Sequence, residues 1–256
     1  MSTAAEQGRW RWCARLCALA LLFAGGVVAA LAQNKLPAPQ PAESDVAVAL
    51  VLAVDTSGSV SMGRFELQKQ GYAAAFRNPQ VLNAIRSLAT QSIAVTMMQW
   101  TGPFLHVVVV DWAPIKDEAS AEAFASAIDA APRRLFGGGT SISGAIDFSR
   151  LLLARNPYRP LRRVIDVSGD GSNNSGRDVT EARDEAVRDD IGINGLPILT
   201  VEPGLDRYYR DFVIGGPGAF MIAVKEYDNF ADAVLKKLIN EIAGTKPLTL
   251  SRMTRR

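Results

Sequence analysis

Cysteine and histidine are almost absent from this sequence, and both absences limit its chemistry. Only two cysteines occur, Cys13 and Cys17, and both lie close to the N-terminus. His106 is the only histidine. Because no cysteine follows residue 17, the remainder of the chain has no disulfide framework. A metal site in that part must rely on oxygen or nitrogen ligands, and the cysteine-rich sites typical of structural zinc are excluded.

A net charge of one sign is also missing. The chain has 28 basic and 26 acidic residues. Residues 1–32 contain three arginines and one glutamate, so the remainder has as many basic as acidic residues. No basic field is left to attract a phosphate backbone, and we expect no nucleic-acid partner.

One long apolar run stands out, and it is N-terminal. Three arginines precede residues 16–32, which are apolar and end in the triplet Ala-Leu-Ala. This order is typical of a secretory signal peptide and predicts cleavage after residue 32. The mature protein is then exported and is periplasmic or secreted. The run is also just long enough to remain as an uncleaved anchor, which would be the only contact with a membrane.

The remaining chain divides into a linker, a domain and a tail. Residues 33–44 are rich in proline and predict a linker, and residues 244–256 predict a loose basic tail. Between them, residues 45–243 alternate between apolar runs of strand length and stretches with helical spacing. We expect strands at 45–54, 92–101, 105–111, 163–168, 195–201 and 219–224, and helices at 63–88 (broken at 78–79), 118–130, 143–155, 179–190 and 229–243.

This alternation predicts a doubly wound α/β fold. We expect a mostly parallel open sheet of about six strands with helices on both faces. Residues 102–104 leave room only for a hairpin between two strands, so one edge strand should be antiparallel.

Three polar clusters fall at strand ends or on nearby loops. The first is Asp55-Thr56-Ser57-Gly58-Ser59, after the valine-rich strand, where residues two apart point the same way. The second is a run of three glycines before Thr140, and the third is Ser168-Gly169-Asp170-Gly171. Ligands of open α/β sheets bind outside the carboxyl ends of the strands, so the three clusters are candidates for one site.

Together the clusters offer the carboxylates of Asp55 and Asp170 and the hydroxyls of Ser57, Ser59 and Thr140. Hard oxygen donors favour one divalent cation, with Mg²⁺ as the first choice and Mn²⁺ or Ca²⁺ as alternatives. Because the set has few charges, it predicts an open coordination position that a carboxylate from a partner can fill.

The three clusters, in this order, resemble the metal-ion-dependent adhesion site of von Willebrand factor A domains. Asp55, Ser57 and Ser59 match the first loop of that site, Thr140 the second and Asp170 the third. The stretches VIDVSGDGSNN and INGLPIL are most similar to an uncharacterised family of exported bacterial proteins related to these domains. The resemblance covers about residues 45–243 and implies a metal-dependent binding module rather than an enzyme, with a protein partner that supplies Asp or Glu.

Two other functions stay open. Asp55-Thr56-Ser57-Gly58 superficially resembles an aspartic-protease motif, with Asp170 as the second carboxylate of a hydrolase. A triad would need His106, which we expect to be a half-buried packing residue. The third possibility is a structural envelope subunit with a purely stabilising metal. Asp166, within a strand, is expected to be a structural carboxylate bonded to a neighbouring loop.

Overall fold

The computed structural model describes residues 45–244. The elements are β1 (Asp45–Asp55), α1 (Met62–Arg77), α2 (Pro79–Arg86), β2 (Ile93–Trp100), β3 (His106–Ile115), α3 (Glu118–Ala130), α4 (Ile142–Ala154), β4 (Arg159–Gly169), α5 (Val179–Arg188), β5 (Ile191–Pro197), α6 (Leu205–Tyr208) and α7 (Phe230–Ala243). A π-helical turn follows α6, and a 3-10 turn precedes α7. The predicted signal peptide, the linker and the tail beyond Gly244 lie outside the described residues.

The five strands form one sheet in the order β3-β2-β1-β4-β5. All neighbours are parallel except β2 and β3, which form the predicted antiparallel pair at one edge. β1 lies at the centre and is buried along its whole length except at Asp45. A strand covered by helices on both faces needs apolar side chains on both, which explains its run of valine, leucine and alanine.

The predicted fold class is confirmed, but the sheet has five strands among the described residues rather than about six. The last strand spans Ile191–Pro197 and not 195–201. Pro197 lacks a backbone N–H group and marks its end, while the two glycines in Ile191–Pro197 weaken the strand signal in the sequence. Residues 219–224 make only isolated bridges to this strand, because Gly216 and Gly218 turn the preceding chain at positive φ.

Helices cover both faces of the sheet and divide the core in two. On one face α1, α2, α3 and α7 pack around Phe76, Phe124 and Phe230. On the other face α4, α5 and α6 pack around Trp100 and Tyr209. None of the helices described between residues 45 and 244 is long and apolar enough to cross a membrane.

Candidate metal site

The sheet topology brings the first and third polar clusters together. β1 and β4 are parallel neighbours, with Val54 opposite Ser168. Asp55 ends β1, and Asp170 directly follows β4. Because the carboxyl ends of parallel neighbours lie at the same edge, the two aspartates follow adjacent strands at that edge.

Hydrogen bonds fix the first loop and join it to the third. The Ser57 backbone N–H donates to Asp55 Oδ1 at 2.7 Å. The Ser57 and Ser59 hydroxyl oxygens lie 3.2 Å apart, and Ser59 Oγ donates to Asp170 Oδ1 at 2.5 Å. The three residues with period-two spacing thus share one polar network with the carboxylate of the neighbouring strand.

The glycine loop brings Thr140 to the same place. Gly137 and Gly138 have φ values of 71° and 89°, a backbone conformation that side-chain-bearing residues seldom adopt. The Thr140 N–H donates to Asn174 Oδ1 at 2.8 Å, and the Asn174 N–H donates to Thr140 O at 2.9 Å. This reciprocal pair connects the second loop to the third.

The loops surround a pocket of about 250 Å³. Four of the five predicted ligands line it: Ser57, Ser59, Thr140 and Asp170. Asp55 is fully buried and does not line the pocket itself. Its Oδ2 atom lies 3.0 Å from the position that a Cβ on Gly169 would take, so a larger residue there would have to displace the carboxylate slightly.

Asp55 is electrostatically unsatisfied in the protein alone. Burial is the main cause that raises its pKa to about 7, and the nearby Asp170 carboxylate also raises it. Its Oδ2 atom has no hydrogen-bond partner among the described residues. A buried carboxylate oxygen without a partner is costly unless a proton or a cation compensates it.

Asp170 has more partners than Asp55. Tyr227 Oη donates to Asp170 Oδ2 at 3.1 Å, and Arg64 Nη1 lies 3.7 Å from the same oxygen. Burial and the adjacent Asp170 raise the pKa of Tyr227, so its hydroxyl keeps the proton that it donates.

A scan against protein-family models matches residues 45–246 to DUF1194, a family of proteins of unknown function. The chain belongs to the DUF1194 family. No curated protein matches the sequence.

Solved structures similar to this member of the family share its fold. A von Willebrand factor type A protein from Catenulispora acidiphila has a TM-score of 0.53 at 15% identity, covering 77% of this chain and 42% of that one. The pilus adhesin SpaC from Lactobacillus rhamnosus GG has a TM-score of 0.55 at 14% identity, covering 77% and 31%. Proximal thread matrix protein 1 from the mussel byssus, solved with a zinc-occupied adhesion-site motif, has a TM-score of 0.51 at 13% identity, covering 79% and 46%. The chain therefore has a von Willebrand factor A-like fold and spans less than half of each of these structures.

The donors of the DUF1194 domain fit a hard divalent cation. They are two carboxylates and three hydroxyls, of which all but the buried Asp55 line one pocket, and Asp55 Oδ2 has no hydrogen-bond partner among the described residues. Between residues 45 and 244, no three His, Cys, Asp or Glu side chains are grouped closely enough to hold a metal without such hydroxyls.

Two groups that support the site were missed by sequence reasoning. The Arg133 guanidinium donates to Thr56 O at 2.9 Å, Ser57 O at 3.3 Å and Val60 O at 2.7 Å, and these bonds fix the backbone of the first loop. Glu202 lines the pocket and accepts a bond from the Ser172 N–H at 2.7 Å. Neither belongs to a local motif, since Arg133 follows α3 and Glu202 follows β5, so only the fold brings them to the site.

Other sequence expectations have clear outcomes. His106 is half-buried, stacks on Phe148 at 4.6 Å and places Nε2 2.8 Å from Pro103 O, which confirms a packing role. Asp166 is a structural carboxylate, as expected, but its partner is Lys237 of α7 at 2.6 Å and not a loop. The sequence could not show this pairing because 71 positions separate the two residues along the chain.

Proposed function

We propose that this protein is an exported binding module that holds one divalent cation, Mg²⁺ by preference, through Asp55, Ser57, Ser59, Thr140 and Asp170. Its partner is a protein that supplies an Asp or Glu carboxylate to the cation. The protein acts in the periplasm or outside the cell, and it is not an enzyme.

One observation carries the proposal. Three loops that are far apart in the sequence bring four of the five predicted oxygen donors to one pocket, and the fifth, the buried Asp55, keeps a carboxylate oxygen without a partner among the described residues. The two carboxylates favour a cation. Because the other three donors are neutral hydroxyls, the bound cation could still accept a further anionic ligand. When bound, the cation would act as a Lewis acid and could bind an external carboxylate.

The metal site is tested by isothermal titration of Mg²⁺ and Mn²⁺ into the full chain and into Asp55→Asn. We expect the variant to bind at least about tenfold more weakly, because one of only two carboxylates is lost. Asp45→Asn is the matched control. Asp45 lies at the amino end of the same strand, away from the site, and pairs with Arg159 at the surface. Equal binding by all three proteins would contradict the metal site.

The hydrolase alternative has weaker support. The two aspartates are connected through Ser57 and Ser59 rather than directly. The described contacts of His106 are to Phe148 and Pro103. Peptide hydrolysis that persists in EDTA and stops with pepstatin would favour that alternative. A structural subunit would instead show metal-dependent melting without any metal-dependent binding of an acidic ligand.

A further inference from the structure

Large apolar side chains are exposed around the pocket. Phe104 is 92% exposed and Phe136 is 68% exposed, and Met62, Leu105 and Val201 are each about half exposed. We call these five residues the apolar rim. They account for five of the nine large apolar side chains that are exposed within residues 45–244.

The contacts of the rim residues place them beside the candidate metal site. Phe104 and Leu105 lie in the turn after β2, and Leu105 Cδ1 is 3.5 Å from the position of a Cβ on Gly138, which lines the pocket. Phe136 directly precedes the glycine loop, and Val201 lines the pocket next to Glu202.

Arg133 connects the other side of the rim. Its guanidinium lies 5.1 Å from the Phe136 ring centroid and 3.9 Å from Met62 Sδ, while it also donates to the backbone of the first loop. Arg133 thus links Met62 and Phe136 to the first loop, while the other rim residues lie in the turn after β2 and in the segment after β5. Single exposed apolar residues are ordinary, but a group of them around a polar pocket is typical of a protein-binding surface.

Charge decides what kind of segment this surface can accept. The ionisable groups in contact with the site are the carboxylates of Asp55, Asp170 and Glu202 and the guanidinium groups of Arg64 and Arg133. A divalent cation changes their surplus of one negative charge into a surplus of one positive charge. One incoming carboxylate is then favourable, whereas a second would face Glu202 without a cation of its own.

We propose that the occupant of the apolar rim is a protein segment with a single Asp or Glu flanked by large apolar side chains. The acid approaches the pocket, and its neighbours bury the rim residues. This inference rests on the proposed function and adds the flanking chemistry of the partner. The burial of one or two aromatic side chains supplies the affinity that a single carboxylate lacks.

An array of synthetic peptides tests the inference with the full chain in Mg²⁺. Each peptide has a central Asp in a Gly-Ser background, flanked on both sides by Phe, Leu, Ser, Lys or Glu, and an Asn-centred series is the control. We expect Phe- and Leu-flanked Asp peptides to bind about tenfold more tightly than Ser-flanked ones. Glu-flanked peptides should bind most weakly of the Asp series.

Variants separate the rim from the metal. Phe104→Ser with Phe136→Ser should abolish the preference for apolar flanks and leave Mg²⁺ binding unchanged, since both side chains are exposed. Leu161→Ser is the control, because Leu161 is 70% exposed at the opposite end of β4.

The outcomes distinguish the inference from the proposed function. Metal-dependent binding of Asp peptides regardless of their flanks, or an unchanged preference in the double variant, would overturn the inference alone. Equal binding of Asp- and Asn-centred peptides, or no binding, would overturn it as well. If Mg²⁺ titration into the chain also fails, the proposed function is wrong too.

Discussion

Two pairs of carboxylates are buried within residues 45–244, and they differ in their cationic partners. Asp166 and Glu241 lie on either side of Lys237, whose ammonium contacts both and is 2.6 Å from Asp166 Oδ1. Among the described residues, no buried side-chain cation lies between Asp55 and Asp170, and Arg64 reaches only the Asp170 carboxylate, at 3.7 Å. The first pair shares the ammonium of Lys237, although Glu241 Oε2 has no hydrogen-bond partner, whereas the second pair has no such shared cation and leaves Asp55 Oδ2 without a partner.

This difference shows what each cluster requires. A buried carboxylate pair is costly unless a proton or a cation compensates it. In the lysine cluster, Lys237 and Glu241 are one helical turn apart on α7, and Asp166 reaches the same ammonium from β4, so a cation of the chain itself partly offsets this pair. The aspartate pair follows β1 and β4 at the ligand-binding edge of the sheet, where a cation can enter from solvent.

The largest expected effect comes from removal of the internal cation. Lys237→Met should lower the free energy of unfolding by about 3–5 kcal/mol, because two buried carboxylates lose their common partner. Urea denaturation measures the change, and Lys236→Met is the control, since Lys236 is the exposed neighbour on the same helix. A loss below about 1 kcal/mol would mean that Lys237 does not neutralise the pair.

A second prediction concerns pH. Burial, with the nearby Asp166 carboxylate as a further cause, raises the pKa of Glu241 to about 7 from its ordinary 4.5. The folded protein therefore binds more protons than the unfolded chain between these values, and its unfolding free energy falls as pH rises through that window.

Glu241→Gln removes this contribution. Relative to that of the wild type, the free energy of unfolding of the variant should therefore rise by about 2–3 kcal/mol between pH 4.5 and 7.5. Denaturation of both proteins in EDTA over that range provides the measurement. Asp55 titrates in both proteins and cancels in the difference, whereas Asp166 interacts with Glu241 and responds to the substitution, so the difference reports on the pair. Parallel pH profiles would show that Glu241 does not carry the surplus charge of its cluster.

The sequence predicts the aspartate pair and misses the lysine cluster for a physical reason. Asp55, Ser57 and Ser59 form a local pattern, and the strands before Asp55 and Asp170 are recognisable by their apolar runs, so parallel pairing brings the loops together. The contact between Asp166 and Lys237 depends on how α7 packs against the sheet. Nothing near either residue encodes that packing.

The same limit explains the error in the sheet. The predicted strands before the site were correct because their valine-rich runs are buried on both faces. Ile191–Pro197 contains two glycines and an asparagine, so its strand signal is weak, and the prediction moved to the apolar residues that follow. Glu202 was missed because it belongs to no local polar motif, although the predicted strand at 195–201 ends directly before it.

Substitution of Glu202 should have the smallest effect, and it tests whether the aspartate pair has a further carboxylate partner within the chain. Its carboxylate lines the pocket, and its Oε2 atom lies 4.0 Å from the position of a Cβ on Gly171, while Thr140 Oγ1 lies 3.6 Å from the same point. Glu202→Gln should weaken Mn²⁺ binding by about two- to fivefold, because a nearby but partly solvated charge contributes less than a direct ligand.

Titration of Mn²⁺ at low and high ionic strength measures this effect, with Glu118→Gln, an exposed residue at the opposite edge of the sheet, as the control. A purely electrostatic contribution from Glu202 should shrink as salt is added, since partly exposed charges are screened. A loss as large as that of Asp55→Asn, and independent of salt, would instead make Glu202 a direct ligand. The metal site would then have three carboxylate ligands from the chain itself, and Glu202 would fill the coordination position predicted for a partner.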